Sequence, residues 1–150
     1  MRAAASFPLL SLVVACVLGL ASLRGNAAAM ATPIDTPASA DSGMYSLLTG
    51  ADGRAYLSWI DTAADKTATL RFARFEGQMW SAARTVATGK DWFVNRADHP
   101  SVTAGANGTL YAHYLVTNPG HSTYGYGIRI ARSDDAGATW REIFTAGTES

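Results

Sequence analysis

One stretch of this chain repeats another, and the repeat fixes what the chain can fold into. Ala51-Asp52-Gly53-Arg54-Ala55-Tyr56-Leu57-Ser58-Trp59 aligns with Ala106-Asn107-Gly108-Thr109-Leu110-Tyr111-Ala112-His113-Tyr114. Further on, Leu70-Arg71-Phe72-Ala73-Arg74 aligns with Ile128-Arg129-Ile130-Ala131-Arg132, Trp80 with Trp140, and Thr88-Gly89 with Ala146-Gly147. The offset drifts between 55 and 60, as small loop insertions and deletions produce. Each copy opens on a hairpin dipeptide, Asp52-Gly53 or Asn107-Gly108, and continues with alternating apolar residues. The apolar content comes in short bursts rich in Tyr, Trp, Phe and Thr, punctuated by turn residues, so the fold is expected to be all-β. Four short strands are predicted in each copy: 44–49, 54–61, 67–75 and 79–87, then 101–104, 109–117, 126–132 and 139–145.

The second copy contains Ser133-Asp134-Asp135-Ala136-Gly137-Ala138-Thr139-Trp140 between its last two strands. An Asp at a reversal accepts hydrogen bonds from backbone N–H groups two or three residues on, where the sheet ladder supplies none. Gly137 is placed to take a positive φ without a Cβ penalty. Ser133 adds a second local bond, Thr139 returns the chain to β conformation, and Trp140 brings a large apolar surface to the sheet.

These residues match the Asp-box, S-x-D-x-G-x-T-W, at every fixed position. With that box the chain resembles the sialidase-like (neuraminidase superfamily) β-propellers, whose boxes are also called BNR repeats. The resemblance covers about residues 44–147. It implies that 44–150 is a partial propeller, two four-stranded antiparallel blades, about 44–90 and 100–147, of a six-bladed one. In that family the box lies on the outer rim of the blade, so a structural role is implied for Asp135. The first copy has Phe75-Glu76-Gly77-Gln78-Met79-Trp80 at the corresponding place, a degenerate box that keeps a Gly and the Trp. A propeller closes with four to eight blades, and only two fit the exported part. The chain is therefore expected to be the N-terminal part of a longer propeller, a fragment inactive alone, with apolar blade faces and edge strands open to self-association.

Residues 1–31 have the layout of a secretory signal peptide: a basic Met1-Arg2, an apolar run, and a small-residue site with cleavage after Ala29 or Ala31. An exported protein, periplasmic or secreted, follows. A retained leader is the alternative, since the run is near membrane-spanning length. Cys16, the sole cysteine, sits in a loose lipobox, Val13-Val14-Ala15-Cys16, and lipidation there would anchor the protein. Without lipidation it is an ordinary apolar cysteine of the leader, and the mature chain then has no disulfide and no thiolate. Residues 32–43 read as a polar, proline-containing linker. Of twelve basic residues Arg2 and Arg24 fall in the leader, leaving ten against twelve acidic. That weak acidity supplies no footprint for nucleic acid.

Candidate chemistry lies in Gly89 to Pro100, which joins the two copies and carries Arg96, Asp98 and His99 beside Trp92 and Phe93. Enzymes of the family it resembles hold a carboxylate with an arginine cluster and use an acidic acid/base and a Tyr–Glu nucleophile pair. Arg96 and Asp98 suit the first two roles; a solvated loop with a local Arg–Asp pair explains them as well. The family's Arg-Ile-Pro motif is absent, so its carboxylate site is not carried over, and no Tyr–Glu pair is assignable. Tyr111 and His113 share a strand face and are candidates to line a ligand site, His113 being otherwise a partly buried histidine. A glycan is the ligand the resemblance implies. His99, His113 and His121 lack metal-ligand spacing, so no metal is expected, and no motif calls for a cofactor.

Overall fold

Alternation of apolar and polar residues sets the strands. In Ala55–Thr62, Tyr56, Ser58 and Ile60 point to one side and are buried, as a half-buried strand requires. The computed structural model describes residues 31–118 and 125–147. Residues 1–30 of the expected 1–31 leader, Cys16 among them, and His121 lie outside the described residues. The described residues form eight strands: β1 (Gly43–Thr49), β2 (Ala55–Thr62), β3 (Ala68–Arg74), β4 (Arg84–Gly89), β5 (Ser101–Ala104), β6 (Leu110–Thr117), β7 (Tyr126–Ser133) and β8 (Arg141–Ala146). They make two four-stranded antiparallel sheets, β1-β2-β3-β4 and β5-β6-β7-β8. The fold is all-β.

The internal repeat holds at the level of single pairs. Tyr56 pairs with Arg74 across β2 and β3, and Tyr111 with Arg132 across β6 and β7. The two opening hairpins also share their bonds. Gly53 N–H donates to the Gly50 carbonyl and Gly108 N–H to that of Gly105, at 2.9 and 3.0 Å. Gly53 and Gly108 alone in these loops have positive φ, 76° and 79°. A turn needing positive φ at both central residues is thereby excluded, and the loops are type I turns closed by a left-handed glycine.

Seven strands fall within two residues of their predicted bounds. The exception is β4, predicted over 79–87 and found at Arg84–Gly89. The intervening segment turns on itself instead of extending. Glu76 N–H donates to the Met79 carbonyl at 2.8 Å, Phe75 and Trp80 form an isolated bridge, and their rings meet edge-on at 5.3 Å. Ser81 Oγ then accepts the Arg74 N–H at 3.1 Å, which ends the detour before the strand begins.

The sheets pack face to face. Tyr56, Ile60, Leu70, Phe72 and Val86 of the first share one buried cluster with Val102, Leu110, Ala112, Tyr114 and Val116 of the second. β5 lies against β1 and β2, where Ala51 N–H donates to the Ala104 carbonyl at 2.8 Å. The contacting faces are not equivalent ones. Tyr56 and Ile60 correspond in the repeat to Tyr111 and Leu115, which lie on the other face of the second sheet. Such head-to-tail stacking uses two different surfaces of one unit, so it leaves one of each uncovered by the pair. On the second sheet that remaining face presents Tyr111, His113, Ile128, Ile130 and Phe144, with Ile128 and Phe144 40% and 51% exposed. On the first sheet the corresponding side carries the buried Trp59 and Ala73 and, on β1, Leu47, which is 64% exposed.

Candidate functional site

The β7–β8 turn is built by two side chains. Ser133, buried at the end of β7, accepts the Gly137 N–H at 2.8 Å and donates its hydroxyl proton to Asp135 Oδ1 at 2.7 Å. Asp135 then accepts from Thr139 twice, from its N–H at 2.9 Å on Oδ1 and from its hydroxyl at 2.6 Å on Oδ2. The Thr139 hydroxyl and N–H, with help from Ser133, hold the Asp135 carboxyl well below its ordinary range. A carboxylate with both oxygens committed to its own loop is a turn-former, and it is poorly set to move protons. The backbone follows: Ala136 and Gly137 both take positive φ, 57° and 87°. Sequence reasoning placed Gly137 there and missed Ala136; it also gave Thr139 no bond to Asp135.

The same turn fastens the second sheet to the first. A Cβ on Gly137 would stand 2.8 Å from Phe72 Cε1 and nearer still to Cζ. Trp140 meets the Phe72 ring edge-on at 5.8 Å. Arg84 Nη1 donates to the Ala136 carbonyl at 2.7 Å. No signal local to the box announces these contacts.

The connection from β4 to β5 is held at its start by Trp92, whose ring stacks on Tyr114 at 4.5 Å and 17°. Asn95 then organises the candidate residues. Its Oδ1 accepts the N–H groups of Ala97 and Asp98 at 2.6 and 3.1 Å, and its Nδ2 donates to Asp98 Oδ2 at 2.9 Å. Asp98 thus pairs with Asn95, and the expected Arg96–Asp98 ion pair is absent among the described residues. Arg96 is exposed. His99 has both ring nitrogens on carbonyls, Nδ1 on Tyr45 at 2.9 Å and Nε2 on Arg96 at 3.0 Å. It serves as a clasp between β1 and the connection; a neutral imidazole donates to one of them, an imidazolium to both.

Tyr111 and His113 do share the outer face of the second sheet, both half-buried. His113 Nδ1 lies 2.9 Å from Ser101 Oγ on β5. Burial lowers its pKa from 6.5, partly countered by the His99 main chain beside it. So His99, Ser101 and His113 come together at the start of β5, while the Arg96 side chain makes no hydrogen bond or ion pair among the described residues and only its carbonyl meets His99. Among the described residues no group of three His, Cys, Asp or Glu side chains could hold a metal ion. Among them, too, no helix is long and apolar enough to cross a membrane. No protein-family model matches the chain, and none of the curated proteins matches it.

Proposed function

We propose that the chain contributes two blades to an exported sialidase-like β-propeller of the exo-α-sialidase/BNR-repeat kind, related to glycoside hydrolases and without hydrolytic activity by itself. The observation that carries this reading is the Asp135 turn. All five fixed positions of the box are present, and Ser133, Asp135, Gly137 and Thr139 exchange the bonds that make them necessary. Two four-stranded antiparallel sheets packed through non-equivalent faces are what successive blades require. Inactivity rests on the connection, where Asp98 is engaged by Asn95, and on the sequence, which lacks the family's Arg-Ile-Pro motif and an assignable Tyr–Glu pair. Incubating the purified chain with a fluorogenic sialoside tests it. No release is expected; release above the buffer rate would sink the inactivity claim.

A second reading is a non-catalytic propeller module that binds a glycan or protein at the cell surface or in the periplasm. The open face carrying Tyr111, His113, Ile128 and Phe144 favours it, since aromatic and apolar side chains left half-exposed suit sugar rings or another sheet. Binding to a panel of immobilised glycans, with Tyr111→Ala as the comparison, separates this reading from the first. Self-association through the same face belongs to both.

A further inference from the structure

Three arginines of the first sheet surround one cleft at the seam. Register accounts for two of them. Arg74 pairs with Tyr56 and Arg84 with Phe72, and Tyr56 and Phe72 both face the second sheet. Arg54, just ahead of β2, closes the third side. The cleft has a volume of about 100 Å³, and Leu110 and Ala136 of the second sheet form its far wall.

Like charges on neighbouring strands repel unless something offsets them. Two carboxylates do so in part. Asp52 lies 3.6 Å from Arg54, and Glu76 lies 2.7 Å from Arg74. Asp52 is shared, because it also accepts the Tyr56 hydroxyl at 2.7 Å. Arg84 has no carboxylate partner among the described residues; one of its nitrogens donates to the Ala136 carbonyl and the rest of its fork is uncommitted. Three guanidinium groups against two carboxylates leave one positive charge, and the free nitrogens of the Arg84 fork, at the cleft.

We propose that this cleft binds a small oxyanion, phosphate or sulfate, either free or as the terminal ester of a larger ligand. A guanidinium fork matches the oxygen spacing of such a group and gives shorter, stronger bonds than neutral donors do. Because Arg84 already holds Ala136, an anion seated there would touch both sheets and hold the seam closed. The site is independent of any hydrolytic chemistry and stands or falls apart from it.

Titration of the chain with inorganic phosphate tests this, followed by backbone amide NMR at constant ionic strength held with sodium chloride. Saturable shifts at Gly108, Leu110 and Ala136 are expected. Arg54→Gln, at an exposed side chain whose loss does not threaten the fold, should weaken binding roughly tenfold, the loss of one charge-assisted contact. Arg84→Gln should do at least as much. Glucose 6-phosphate displacing phosphate would identify an ester as ligand; phosphate binding without such displacement would identify the free ion. Shifts no larger than chloride produces, or an Arg54→Gln chain that titrates like the parent, would overturn the proposal.

Discussion

Phe72 and Gly137 meet across the seam between the two sheets with no space for a side chain at position 137. Phe72 sits in the middle of β3, and Gly137 caps the turn between β7 and β8. The box that closes the second sheet is therefore also a packing surface for the first. Trp140 on the edge of the same ring and Arg84 on the Ala136 carbonyl complete the contact. Glycine at 137 answers two demands at once, a φ of 87° and the approach of an aromatic ring.

Gly137→Ala should therefore cost more than backbone strain alone. A left-handed alanine costs about 1 kcal/mol, and forcing a methyl into a packed contact costs about 1–3 kcal/mol more. A loss of roughly 2–4 kcal/mol in urea unfolding is expected. Adding Phe72→Leu should return part of it, because the smaller side chain vacates the space. If the two substitutions were simply additive, the contact would be of no energetic consequence.

The repeat made the strands legible because each copy confirms the other: the alignment equates Tyr56 with Tyr111 and Arg74 with Arg132, and the sheets pair them alike, Tyr56 with Arg74 and Tyr111 with Arg132. The β4 start was not legible. Trp80 occupies the place of Trp140, but the missing aspartate lets the chain fold back through the Phe75–Trp80 bridge. That Asp135 and Ser133 bond within the turn followed from residue type, since Asp and Ser act on their own neighbourhood, but the two bonds from Thr139 did not. The box's contacts with Phe72 and Arg84 did not either, because they depend on which sheet faces meet. The Arg96–Asp98 pair failed for a similar local reason: Asn95, one residue earlier, is a better-placed partner for Asp98.

Asp135 links the turn to acidity. Its folded pKa lies below the ordinary 3.8 because the Thr139 hydroxyl and N–H, and then Ser133, bond to the ionised form. A depressed carboxylate contributes stability above its unfolded pKa and loses it as pH falls through that value towards the folded one. Stability should thus decline below about pH 4. Asp135→Asn should be less stable at pH 7 and show a shallower acid limb. Parallel acid limbs in guanidinium titrations of the two chains would contradict this assignment.

His113 acts in a higher window and with the same sign. Burial lowers its pKa from 6.5, so the folded chain resists a proton that the unfolded chain accepts. Stability should fall as pH drops from about 7 towards 5. His113→Gln keeps a group able to bond Ser101 Oγ and removes the titration. The difference in melting temperature between the two chains should narrow on acidification; a constant difference from pH 7 to 5 would show that His113 is neutral to the balance.

The outer face of the second sheet supplies the last test. Ile128 and Ile130 correspond in the repeat to Leu70 and Phe72, which are 0% and 3% exposed beneath the second sheet, whereas Ile128 is 40% exposed. Positions that are core in one copy are thus surface in the other, and Phe144 at 51% exposure extends the same patch across β8. Burying one such side chain is worth about 1.5–3 kcal/mol, so a lysine there should weaken association tenfold or more. Sedimentation velocity across a concentration series should show the parent chain associating and Phe144→Lys remaining monomeric over the same range. The substitution should leave the melting temperature of the dilute chain nearly unchanged, because Phe144 contributes little to the cluster between the sheets. Association that persists in Phe144→Lys, or a parent chain that is monomeric throughout, would remove this face as the contact surface.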